Sequence, residues 1–100
     1  MALRGEYAEI AAAGTTQATA TEMPSYQVMV TSGTGGVLLP PMNKGEEAMV
    51  CNGLSTVSID VYPRSGGKLN NMTADLPLTV PTNRAVRFRA IDGLNLFAFF

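Results

Sequence analysis

TVSIDVYPRSGGKLN, residues Thr56–Asn70, is the stretch whose reading decides the fold. Val57, Ile59 and Val61 alternate with Ser58, Asp60 and Tyr62 without a break. A period of two puts the first set on one face of a β-strand and the second on the other. Pro63 has no N–H for a ladder and closes the strand. Gly66-Gly67 then turns the chain before Lys68-Leu69. The stretch is thus a half-buried strand and a tight turn, and its residues name no chemistry.

Outward toward the C-terminus, Leu76–Val80 sits between Pro77 and Pro81 and reads as an edge strand. Arg84–Ile91 turns Val86, Phe88 and Ala90 inward and Arg87 and Arg89 outward. Asp92-Gly93 is a turn, and Leu94–Phe100 is the closing strand, with Leu94, Leu96, Ala98 and Phe100 on one face. Its other face carries Phe97 and Phe99. Either this strand is central and covered on both sides, or the two phenylalanines meet another subunit.

Outward toward the N-terminus, Glu47–Cys51 is a strand followed by the turn dipeptide Asn52-Gly53. Val37–Leu39 is a short buried run closed by Pro40-Pro41. Tyr26–Thr31 alternates, and Thr15–Thr21 reads as an early or edge strand because threonine favours the extended backbone. Residues 1–14 are the one segment with helical character. Leu3, Tyr7 and Ile10 fall at i, i+4 and i+7, Ala11-Ala12-Ala13 follows, and Gly14 ends the run. So weak a helix is marginal alone, which makes it either a frayed terminus or an arm that orders against a partner. Seven or eight short strands with turns between them describe an all-β sandwich or barrel at residues 15–100, preceded by the N-terminal arm at 1–14.

The 100 residues suffice for one core, with 46% apolar and only 15% charged side chains. Average proteins carry roughly 25% charged residues, so this surface is either bland or partly covered by a partner. A net charge of −1 argues against nucleic acid or an anionic membrane as the partner. The first half, with Arg4 and Lys44 against Glu6, Glu9, Glu22, Glu46 and Glu47, is net acidic. The second half, with Arg64, Lys68, Arg84, Arg87 and Arg89 against Asp60, Asp75 and Asp92, is net basic. The single Cys51 makes no internal disulfide and reads as a small hydrophobe in a reducing setting. No apolar run approaches the roughly 20 residues of a membrane-spanning helix.

Histidine is absent, which removes the commonest general base, the usual nucleophile pairs and the usual zinc ligand. Glu46 and Glu47 are the only adjacent carboxylates, and neighbours on a strand point to opposite faces. The expectation is a protein that is not an enzyme and has no cofactor or metal. Ser32–Gly36 lacks the Gly-Lys-Ser/Thr of a phosphate loop and reads as a turn. Arg84, Arg87 and Arg89 form the one basic cluster, which suits a solvated face or docking to an acidic protein surface. No aromatic stacking platform for nucleic acid accompanies it.

Gly14-Thr-Thr-Gln-Ala-Thr-Ala-Thr, then Gly33-Thr-Gly-Gly-Val-Leu-Leu-Pro, then Val50-Cys-Asn-Gly, then Ile59-Asp-Val-Tyr-Pro-Arg-Ser-Gly together resemble a module of tailed-bacteriophage virion proteins. That family shows a Gly-Val-x-Leu-Pro strand end, a Val-x-Asn-x-Gly hairpin, a Val-Tyr-Pro-x-x-Gly turn and a closing aromatic strand, in this order. The likeness covers about residues 14–100. It departs at the closing strand, where the family often has tryptophan and this chain has Leu96-Phe97-Ala98-Phe99-Phe100. Such modules occur in tail-fibre and appendage proteins and as stand-alone capsid cement, or decoration, proteins. A chain of this length looks like the stand-alone form.

The resemblance implies a small jelly-roll-like β-sandwich of antiparallel strands, made in the host cytoplasm and placed on the capsid surface of the virion. Its partners would be the major capsid protein and itself, as a trimer or dimer, with no nucleic acid and no membrane. Leu3, Tyr7 and Ile10 of the arm, with Arg87, Arg89, Phe97 and Phe99, are the candidate interface residues. A tail-fibre or appendage subunit is the alternative. A carbohydrate-binding sandwich is a third reading, which the lack of tryptophan disfavours.

Overall fold

In the computed structural model, which describes residues 7–100, the alternating stretch becomes a four-residue strand, Ile59–Tyr62, inside the smaller of two sheets. Among the described residues the chain forms ten strands and no helix. They are β1 (Ala8–Ala12), β2 (Thr21–Glu22), β3 (Gln27–Gly33), β4 (Gly35–Leu38) and β5 (Glu47–Asn52), then β6 (Ile59–Tyr62), β7 (Lys68–Leu69), β8 (Leu78–Val80), β9 (Arg84–Ala90) and β10 (Asn95–Phe99). The larger sheet has the order β1-β3-β5-β9-β10-β7, and the smaller β2-β4-β6-β8. The fold is all-β and β-sandwich-like.

One core lies between the sheets. Val28, Val30, Val50, Val86 and Phe88 of the larger sheet meet Val37, Ile59, Val61 and Val80 of the smaller in a single buried cluster. Among these, Ile59, Val61, Val86 and Phe88 sit at the period-two positions that the sequence assigns to a core face. The shortest dimension of the molecule, 21 Å, is what two layers about 10 Å apart occupy with their outer side chains.

Strand direction corrects the expectation of an antiparallel sandwich. Five of the eight strand pairings are parallel, and three are antiparallel. From β1 to β6 the chain alternates sheets, so β1, β3 and β5 run side by side in one layer and β2, β4 and β6 in the other. A parallel pair needs a long crossover, for which a helix is the usual device. Here a strand of the opposite sheet serves as the crossover, and the first six strands wind as a flattened coil. From β8 onward the chain folds back, and β8 and β9 pair antiparallel with β6 and β5. The absence of helices therefore does not exclude parallel pairing.

Two local expectations are also corrected. Ala8–Ala12 is an edge strand and not part of a helix; it pairs parallel with β3, Ala8 beside Val28 and Ile10 beside Val30. Ile10 belongs to both patterns, at helical spacing from Leu3 and Tyr7 and at a period of two with Ala8 and Ala12. The open edge of β3 satisfies the backbone along its length, whereas a lone turn of helix has no such partner. Thr15–Ala20 is a turn and not a strand. The Thr16 and Thr19 hydroxyls lie 2.8 Å apart, and the Ala20 N–H donates to the Thr16 carbonyl. Local side-chain bonding competes with the ladder in threonine-rich segments. The Leu76–Val80 edge is observed as β8, shortened to Leu78–Val80.

The Thr15–Ala20 turn closes over the outer side of the smaller sheet. Ala20, Leu38 and Tyr62 form a second small buried cluster there. The Tyr62 hydroxyl donates to the Thr15 carbonyl at 3.0 Å. Its ring lies over Gly36, where a Cβ would come within 2.7 Å of the ring. A glycine is needed at that spot because β4 and β6 approach through the ring. Two of the quoted motifs, around Gly36 and around Tyr62, are thus in direct contact.

Candidate functional site

The outer face of the larger sheet is the surface on which the sequence-predicted side chains gather. Strand register places them in rows. Glu47, Arg89 and Phe97 stand side by side across β5, β9 and β10. In the next row Gln27, Met49, Arg87 and Phe99 cross β3, β5, β9 and β10. A third row runs Glu9, Met29, Cys51 and Ala85 across β1, β3, β5 and β9. Neighbours within a row are about 4.8 Å apart, and rows on one face are roughly 6.8 Å apart.

These positions follow from the core. Val86, Phe88 and Ala90 are buried to 1% or less, so period two sends Arg87 and Arg89 to the outside. Leu96 is buried at 5%, and by the same rule Phe97 and Phe99 face outward, 37% and 44% exposed. β10 lies inside the sheet, between β9 and β7, yet its outer face is open, so the strand is not covered on both sides within this chain. β7 covers only Asn95 and Leu96 on its far side, and the Asn70 side-chain carbonyl accepts the Ala98 N–H beyond that point.

Electrostatics divides the two arginines. Arg89 makes an ion pair with Glu47 at 3.0 Å across the β5–β9 pair. Arg87 joins neither of the ion pairs formed among the described residues. Its flanks are Met49 on one side and Phe99 on the other. Arg64 does not join this cluster. It bonds the Leu39 carbonyl at 2.8 Å and Glu22 at 3.3 Å beside the smaller sheet. Arg84 stands at the start of β9, exposed.

The N-terminal candidates separate. Leu3 lies outside the described residues. Ile10 packs half-buried against the core through its place beside Val30, so it is not part of an outer face. Tyr7 is 47% exposed just before β1. What unites Tyr7 with the other candidates is exposure only; the shared helical face with Ile10 does not exist. The sequence reading missed Met29 and Met49. Both are half-buried on the outer face, and their parity relative to Val28 and Val50 was the available signal. Cys51 lies in the same face, and burial pushes its thiol up from the ordinary value, which keeps it protonated at neutral pH.

A flat surface of thioethers, phenyl rings and guanidinium groups suits binding to a protein. Among the described residues no cluster of three or more His, Cys, Asp or Glu is placed to hold a metal ion. No described helix is long and apolar enough to cross a membrane. Chemically, the fold and this face describe a small β-scaffold with one open sheet surface. No known family model, curated protein or solved structure matches this chain.

Proposed function

We propose that the protein is a structural virion component, a cement or decoration protein that binds the outer capsid surface and fastens neighbouring major capsid subunits. It acts as a homo-oligomer, a trimer or dimer, without a catalytic role, a cofactor, nucleic acid or a membrane. The observation that carries this reading is the open outer face of the larger sheet, where Phe97 and Phe99 stand in register with Arg89 and Arg87. Exposed phenylalanines on a rigid sheet are the mark of a surface meant to be covered. The motif resemblance supports the same reading through the Gly36–Tyr62 contact, which joins two of its segments. The jelly-roll likeness is retained as a proposal about shape, two sheets wrapped on one core, and not about strand direction.

Binding the expanded shell in preference to its precursor would stabilise the mature lattice by mass action, and many copies on one particle gain avidity. The test is to add purified protein to undecorated heads and follow their resistance to heat. The expected result is a raised disruption temperature at saturation; heads that stay as labile as before would sink the reading. The tail-fibre or appendage reading rests on the same motifs, and copy number separates the two. A shell component is present in hundreds of copies per particle and a tail component in few.

A further inference from the structure

We infer that the partner seated on this face brings an Asp or Glu carboxylate onto Arg87, from a protein segment whose adjoining side chains are apolar. This inference rests on the docking role proposed above and names the chemistry of the occupant. Three observations lead to it. Arg87 stands between Met49 and Phe99 in one row, so a partner that lies across the sheet over Met49 and Phe99 also lies over Arg87. The nearest cation on the same face, Arg89, is two residues along the strand and has taken Glu47 for itself at 3.0 Å. No carboxylate shares Arg87's row, whose remaining member is Gln27.

Exposed to water, an arginine placed this way is harmless, since solvent screens it. Covered, it loses its hydration, and an unpaired buried cation is strongly unfavourable. Burial of the whole Met49, Arg87 and Phe99 row is therefore favoured when an anion is delivered to the same spot. The two-pronged guanidinium matches a carboxylate in plane, and the flanking phenyl and thioether groups select apolar neighbours on either side of it. A phosphate backbone would leave those flanks facing charge, so nucleic acid does not fit.

The test uses the isotope-labelled full chain and two capped, extended synthetic peptides, one alternating Val with Glu and the other Val with Gln. The acidic peptide is expected to shift the Arg87 side-chain resonance and the β9 and β10 amides. Its affinity is expected to exceed that of the amide peptide by at least ~tenfold. Arg87→Gln should abolish that preference, while Arg64→Gln, in the link after β6 and away from this face, should keep it. No shift at millimolar peptide, equal affinity for both peptides, or shifts outside this face overturns the inference. So do concentration-dependent shifts of the same resonances without peptide, which assign the face to a second copy. On undecorated heads, equal binding by wild type and Arg87→Gln overturns the inference and leaves the capsid reading standing. Acidic-peptide binding by a protein that ignores heads does the reverse.

Discussion

Asn52 is the one buried polar side chain among the described residues, 2% exposed, and it ties three segments together. Its two amide hydrogens are shared among the carbonyls of Val57, Val80 and Pro81, 3.1–3.2 Å from the nitrogen, and its oxygen accepts the Leu54 N–H at 3.0 Å. A dipeptide read from sequence as a turn is thus also a clasp between β5, the approach to β6 and the β8–β9 link. Asn52→Ala removes all four bonds and leaves buried carbonyls unpaired, so it is expected to lower stability by about 2–4 kcal/mol. Urea unfolding measures it; a loss below ~0.5 kcal/mol would mean that water replaces the amide. Asp92 acts at the surface. Hydrogen bonds from the Asn95 side chain, then from the Leu94 and Asn95 N–H groups, hold its carboxyl below the ordinary carboxylate range. A depressed folded value stabilises the fold above the unfolded pKa of about 3.9 and loses that contribution as pH falls through the folded value. Stability of wild type and Asp92→Ala should therefore differ at neutral pH and converge in acid; a constant difference across that window would contradict the assignment.

Elements owe their form to neighbours as much as to composition. In β1 Ile10 fits a helical spacing, with Leu3 and Tyr7, and an alternating one, with Ala8 and Ala12, and the open edge of β3 decides between them. The consequence is measurable. Ile10 packs on the core and Tyr7 does not, so Ile10→Ala should cost about 1–2 kcal/mol while Tyr7→Ser stays within about 0.5 kcal/mol. Chemical denaturation of the two variants distinguishes this arrangement from a helical arm, on which both residues would respond alike. β9 behaved as its sequence says, because a seven-residue strand with Val86, Phe88 and Ala90 inward has only one register that buries them. The Thr15–Ala20 segment did not, since its hydroxyls and Gly14, at φ 83°, favour a turn that no hydrophobic alternation opposes.

Across the whole molecule, stability and the proposed docking are separable because the core and the open surface are opposite faces of one sheet. Phe97 and Phe99 contribute little to the core, whereas Phe88, on the inner face of β9, is fully buried. The double variant Phe97→Ser, Phe99→Ser is expected to keep an unfolding midpoint within a few degrees of wild type and to lose assembly or head binding. Phe88→Ala should lose about 3–5 kcal/mol instead. Thermal unfolding beside sedimentation analysis and head binding reads both; a double variant that assembles and binds heads normally would remove this face from the interface.

What the sequence determined by itself is the class and the sidedness: strands at nearly all the places where apolar and polar residues alternate, and Arg87, Arg89, Phe97 and Phe99 turned outward. Alternation is a local property, set by the two-residue repeat of the extended backbone, and needs no knowledge of the neighbour. TVSIDVYPRSGGKLN shows the limit. Its strand, its inward valine and isoleucine and its turn are all legible, yet nothing in it says that β4 lies parallel on one side and β8 antiparallel on the other. Only the tertiary structure decided strand direction, the place of Ile10 and the company of Arg87. Those depend on which segment is brought alongside by the winding of the chain, and pairing partners far apart in sequence leave no mark in the local pattern of either.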